Sequence, residues 1–95
     1  MKSMFRFLEN EIPRKTILKE RVDDDGILIV LSKGLEIFYF NDVASDIFSF
    51  IDGKSSISDI YSKMKIIYEV EEDELKNDLT NLIRDFQWSN LIFFS

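Results

Sequence analysis

The chain contains no cysteine and no histidine, and only one proline and three glycines in 95 residues. Without cysteine there is no disulfide frame and no thiolate, and without imidazole the commonest metal ligand and near-neutral general base is missing. His- and Cys-dependent catalysis is therefore excluded, which removes most hydrolase and transferase chemistry. Basic charge is also scarce: 12 Lys and Arg stand against 18 Asp and Glu, for a net charge of −6. Such a surface repels phosphate on average, whereas a duplex binder needs cations to displace counterions, so nucleic acid is not an expected partner. No apolar run approaches the ~20 residues that cross a bilayer, so no membrane association is expected. The first residues lack the long apolar stretch and small-residue cleavage site of a secretory signal, and the expected location is the cytoplasm.

What the chain does have is apolar material: 45% hydrophobic residues, with nine Phe among the aromatics. That suffices for one packed core, and the length fits one domain. Pro13 suggests a division between an N-terminal arm, residues 1–14, and a domain over residues 15–95. The arm is more apolar than a free tail, through Phe5, Phe7, Leu8 and Ile12, and is expected to lap onto the core.

Three strands are legible, over residues 16–22, 27–31 and 35–40. The turns between them are Asp23-Asp24-Asp25-Gly26 and Ser32-Lys33-Gly34. Short links argue an antiparallel meander with the third strand at an edge. Three helices follow. Asn41 is an N-cap, Val43, Ala44, Ile47, Phe48 and Ile51 recur at helical spacing, and Gly53 is placed to stop the helix. Ser56-Ile57-Ser58-Asp59 has the form of a capping box ahead of a stripe through Ile57, Ile60, Tyr61 and Met64. Glu71-Glu72-Asp73-Glu74 opens the third helix, its core stripe is centred on Leu75, Leu79, Leu82 and Phe86, and Asn90 is suited to its left-handed C-terminus; Phe38 and Leu82 are expected to be largely buried. The acidic run lacks the alternating oxygen ligands and central glycine of a calcium loop, so it reads as a helix start matched to the dipole. Carboxylate pairs such as Asp42 and Asp46 lie one helical turn apart without a base or phosphate loop. No catalytic residue, metal or cofactor is expected, and the chain is not expected to be an enzyme.

The ordered set Phe40-Asn41-Asp42-Val43-Ala44, Ile47-Phe48, Asp52-Gly53, Ser56-Ile57-Ser58-Asp59-Ile60, Val70-Glu71-Glu72-Asp73-Glu74-Leu75, Asp78-Leu79, Leu82 and Leu91-Ile92 resembles the PqqD-like proteins. These are peptide-recognition elements of ribosomal peptide maturation. The resemblance runs from Gly34 to Leu91, with Phe40 where the family has Leu and Asn90 where it has Gly. It implies an α+β fold of winged helix-turn-helix type, a three-stranded antiparallel sheet followed by three helices (βββααα). It also implies a function: the leader segment of a precursor peptide adds as a strand to the edge of the third strand, rests on the third helix, and is presented to a peptide-modifying enzyme.

The residues fit that implication. Residues 35–40 contain no proline and one charge, Glu36, so the edge is poorly protected against pairing. Phe38 and Phe40 are expected to face the helices, and Leu35, Ile37 and Tyr39 to face away. Either a ligand covers that outer face, or the N-terminal arm or a neighbouring copy does. The expected peptide site is therefore Leu35, Glu36, Ile37, Phe38 and Tyr39 with the helix flank Lys76, Thr80, Ile83 and Gln87. Phe38, Ile83 and Gln87 are the expected groove walls against an antiparallel leader. For Ile83 a place in the widened core stripe is the competing reading. The alternatives for the whole chain are a non-catalytic docking subunit of a maturation enzyme, and a winged-helix nucleic-acid-binding protein. A homodimer through the sheet edge is a further expectation.

Overall fold

The computed structural model describes residues 4–94; residues 1–3 of the expected arm and Ser95 lie outside the described residues. The element order is α1 (Phe5–Leu8), β1 (Pro13–Lys15), β2 (Ile17–Val22), β3 (Leu28–Ser32), β4 (Ile37–Phe40), α2 (Asp42–Ser49), α3 (Ile57–Ile67), α4 (Glu72–Trp88) and β5 (Ile92–Phe94). The expected α+β arrangement is present: β2, β3 and β4 form an antiparallel sheet in that order, and α2, α3 and α4 follow it. A second, two-stranded antiparallel sheet joins β1 to β5.

Local chemistry sets the helix ends. Asn41 Oδ1 accepts from the Ala44 N–H at 2.9 Å. The Ser56–Asp59 capping box closes both ways, Ser56 Oγ accepting from the Asp59 N–H at 3.1 Å and Asp59 Oδ2 from the Ser56 N–H at 2.9 Å. At the end of α4, Asn90 takes φ 59°, the Leu91 N–H reaches the Phe86 carbonyl and the Asn90 N–H reaches that of Gln87. That is a Schellman closure, and its apolar residue, Leu91, is buried. Gly53 plays a different part from the one expected. α2 already ends at Ser49, and Gly53 takes φ 80° inside the next turn. There Asp52 Oδ1 accepts from the Ser55 and Lys54 N–H groups. Those bonds hold the Asp52 carboxyl down at about 2, with further help from the Ser55 hydroxyl and Lys63.

The core lies between the inner face of the sheet and the helices. Phe40, Phe48 and Phe86 meet pairwise with ring centroids 5.2–5.3 Å apart, joining β4, α2 and α4. Val30, Ile47, Ile57, Ile60, Met64 and Leu79 are fully enclosed around them. Phe38 and Leu82, expected to be largely buried, are only half-buried at the margin.

The N-terminal segment is held, not loose. Phe5 is buried edge-on against Tyr61 at 5.2 Å, and α1 packs on α4. The carbonyls of Glu9 and Glu11 accept from the Ser58 and Ile57 N–H groups, which belong to the first turn of α3 and have no intrahelical partner. Pro13 opens β1 and is itself buried. Tyr68 ties α3 to α2: its hydroxyl donates to Asp46 Oδ2 at 2.6 Å.

Candidate functional site: the open edge of the three-stranded sheet

Of the two edges of the β2–β3–β4 sheet, β2 carries Lys19, Glu20 and Arg21 in sequence and an irregular register between Ile17 and Lys19. Charge and irregularity both blunt an edge. β4, Ile-Phe-Tyr-Phe, has neither device. It is the edge that another strand could join.

Its register fixes which groups are on offer. The Ser32 N–H donates to the Glu36 carbonyl, so residues 32 and 36 form a hydrogen-bonded pair. With Leu31 opposite Ile37, Val30 opposite Phe38 and Ile29 opposite Tyr39, alternation makes 30–38 and 28–40 the next hydrogen-bonded pairs. Phe38 and Phe40 thus turn their main-chain groups inward to β3, and Ile37 and Tyr39 turn theirs outward. The side chains alternate likewise. Phe40 is buried and Phe38 half-buried on the inner face, whereas Ile37 is 58% and Tyr39 68% exposed on the outer face.

Leu35 is not part of the strand. It sits in the preceding turn at φ 67° with its side chain 74% exposed. The neighbouring Gly34 does not adopt positive φ. The Ser32 carbonyl takes the Leu35 N–H at 3.0 Å and the Ser32 hydroxyl takes that of Glu36 at 3.0 Å, which closes the turn one residue late. A left-handed Leu is strained by roughly 1–2 kcal/mol.

The structure encloses much of the expected helix flank. Ile83 is 0% and Thr80 4% exposed, so both are core and neither is an accessible wall. The Thr80 hydroxyl has no hydrogen-bond partner there. Lys76 is engaged: its ammonium lies 2.9 Å from Glu72 Oε1 and stands over the rings of Phe5 and Tyr61 at 5.3 and 5.5 Å. The hydrogen bond and charge of Glu72 raise the Lys76 pKa, and Lys76 in turn lowers that of Glu72. Gln87 is exposed in the last turn of α4. Ile37, Phe38 and Tyr39 are therefore brought together with Glu36 beside them, while Lys76, Thr80 and Ile83 lie on an arc closed over by other elements.

The residue missed in sequence is Leu82. At 100° per residue it falls roughly 40° from Phe86, the α4 residue that touches Phe40 of β4. Leu82 is half-buried. Like Phe38 of β4, it is a partly buried apolar residue packed against the margin of the core. The outer face is exposed as well: of the described part of the N-terminal segment, α1 packs on α4 and β1 pairs with β5, and neither covers Ile37 and Tyr39.

Among the described residues no helix is long and apolar enough to cross a membrane, and no cluster of acidic residues could hold a metal ion. Comparison with known proteins adds three findings. No curated protein matches the chain. A solved structure described as "Lasso peptide synthetase B1 complexed with the leader peptide" has a similar fold, with a TM-score of 0.72 at 21% identity, covering 88% of this chain and 98% of that one. The family model for coenzyme PQQ synthesis protein D (PqqD) matches residues 27–92, well over half of the chain, and this protein belongs to the PqqD family.

Proposed function

We propose that this chain is a non-catalytic adaptor that captures the leader segment of a ribosomally made precursor peptide and presents it to a peptide-modifying enzyme. The open β4 edge carries the reading. Ile37 and Tyr39 offer outward N–H and C=O groups, and apolar side chains stand on both faces beside them. An extended peptide pairing antiparallel with β4 gains main-chain hydrogen bonds for register. Its alternate side chains fall beside Phe38 and Leu82 on one face, and beside Ile37 and Tyr39 on the other. Leu35 and Glu36 stand at the hairpin end of that strand, where they would meet one end of the peptide.

Family membership supports this reading, as does the similar fold of a protein whose structure holds a leader peptide. A non-catalytic role fits a chain without His or Cys whose shifted groups serve structural bonds: Asp52 in its turn, Tyr68 on Asp46, Glu72 with Lys76. A nucleic-acid role fits poorly. Lys63 stands over the Phe50 ring, Lys65 faces Glu72 and the Tyr61 ring, and the first turn of α4 is acidic.

The test is amide hydrogen exchange of the full chain with its cognate precursor peptide, against a scrambled peptide of the same composition. Binding with new protection at the Ile37 and Tyr39 amides is expected. Binding that protects α4 or β2 and leaves those two amides in fast exchange would place the peptide elsewhere, and absence of binding would refute the adaptor reading.

A further inference from the structure

The β2–β3–β4 sheet has one face on the helices and the other in the open. On the open face the register aligns two cross-strand rows, Lys19–Leu31–Ile37 and Arg21–Ile29–Tyr39. These six side chains line one shallow depression, apolar over β3 and β4 and cationic along β2. Glu20 borders it, but its carboxylate is 3.1 Å from the Lys15 ammonium. Neither Lys19 nor Arg21 has an ion-pair partner among the described residues; several other bases share that state, and what distinguishes these two is that they border one apolar face side by side. In a chain with 18 acids and 12 bases, two unmatched cations along one apolar face mark a surface built for an acidic counterpart.

We propose that this face docks the peptide-modifying enzyme, through an apolar surface edged with carboxylates that meet Lys19 and Arg21. The identity of this partner rests on the adaptor reading above; the chemistry of the face does not. A second copy of the chain is a poor occupant, because the same face offers no free carboxylate to its counterpart. The captured peptide is a poor occupant too. Strands lie about 4.8 Å apart, so a strand added to β4 is three spacings, roughly 14 Å, from β2. Side chains stand roughly perpendicular to a sheet, so a peptide acid could span that distance to Lys19 or Arg21 only by lying fully extended and flat across β3 and β4. Edge and face share Ile37 and Tyr39, but the cations stand on β2, at the far side of the sheet from the β4 edge, so Lys19 and Arg21 are left to the enzyme while a peptide pairs with β4.

The experiment titrates two probes onto the full chain and onto its Lys19→Glu/Arg21→Glu variant: the purified cognate modifying enzyme, and the labelled precursor peptide. Both replaced side chains are exposed, so the variant should fold, which a thermal melt verifies; Lys19→Gln/Arg21→Gln serves if it does not. The expected result is peptide affinity within twofold of the parent, with enzyme affinity at least about tenfold weaker, mainly through a slower association rate. Weakening of parent–enzyme binding by added salt should be lost in the variant. Unchanged enzyme binding overturns the proposal. So does an equal loss of peptide binding, which would assign the face to the peptide. Sedimentation showing a parental dimer that the variant abolishes would assign it to a second copy and overturn it likewise. If the parent fails to bind the precursor, the adaptor reading falls, and the enzyme titration still decides the docking face.

Discussion

Ile37→Pro separates peptide capture from folding, because residue 37 turns its N–H away from β3. Proline lacks that donor, but the β3–β4 ladder uses the main-chain groups of Phe38 and Phe40, so the sheet loses no hydrogen bond. The remaining costs to the fold are the fixed φ and the restriction on Glu36, together no more than about 1 kcal/mol on an edge strand. For a chain of this size that is a fall of roughly 4–8 °C in melting temperature. The cost to binding is larger. One intermolecular hydrogen bond is removed, and the facing peptide carbonyl is left unpaired against an apolar margin, about 1–3 kcal/mol in all. That is about a five- to 150-fold loss of affinity. Isothermal titration with the precursor peptide, alongside thermal melts, measures both. Two comparators sharpen the result. Ile37→Ala keeps the donor and should bind within a fewfold of the parent. Phe38→Pro removes a ladder donor and a half-buried ring, and should melt far lower. An Ile37→Pro variant that is folded and binds like the parent would refute strand addition at β4.

Leu35→Gly should raise the melting temperature by up to a few degrees, by relieving the left-handed Leu at φ 67°, and should lower peptide affinity if that exposed side chain meets the ligand; a stabilised variant with full affinity would show that Leu35 takes no part. Thr80→Val replaces a buried hydroxyl that has no partner and should stabilise by about 0.5–1.5 kcal/mol in chemical denaturation, with peptide affinity unchanged. Ile83→Asp would put a carboxylate in the enclosed core and should abolish cooperative melting at neutral pH, rather than leave a folded protein with weakened binding. Tyr68→Phe should cost about 1 kcal/mol at pH 7, a figure kept small because the pair is partly open to solvent. The Asp46 hydrogen bond, aided by burial and by the Asp46 charge, raises the Tyr68 pKa from 10.0 to about 12. The contribution is therefore whole below pH 10 and lost between about pH 10 and 12, so the parent–variant gap in urea denaturation should close across that window.

The parts of the fold that were legible in sequence are those decided within a few residues. Asn41, the Ser56–Asp59 box and the Asn90 C-terminus each depend on one side chain or one φ value, and each forms as read. The edge position of β4 was equally accessible, since short turns allow only a meander. The hairpin turn was less so. Ser32-Lys33-Gly34-Leu35 offers two adjacent places for a left-handed residue, and glycine is the cheaper one. Ser32 decides otherwise, by holding the Leu35 and Glu36 N–H groups with its carbonyl and hydroxyl. Gly53 misled for a related reason. A glycine after a helix stripe looks like a C-terminus, but here the Asp52 turn needs it, and α2 had already ended.

The helix flank failed on a different scale, and the failure relocates the groove. Reading α4 by its strongest apolar residues centred the buried arc on Leu75, Leu79, Leu82 and Phe86. The residues actually enclosed are Leu75, Leu79, Thr80, Ile83 and Phe86, an arc rotated by roughly 50°. No local rule could supply that rotation, because elements remote in sequence cause it. Phe5 of α1 and Tyr61 of α3 meet over Lys76 and close that side of the helix. Closing one flank leaves the other at the boundary, and Leu82 is the large apolar residue found there, on the side of Phe86 that meets Phe40. A peptide strand added to β4 would therefore meet Leu82 and Phe38, not the enclosed Ile83. Leu82→Lys should then weaken peptide binding in a chain that still folds, whereas any charge at Ile83 acts first on the fold.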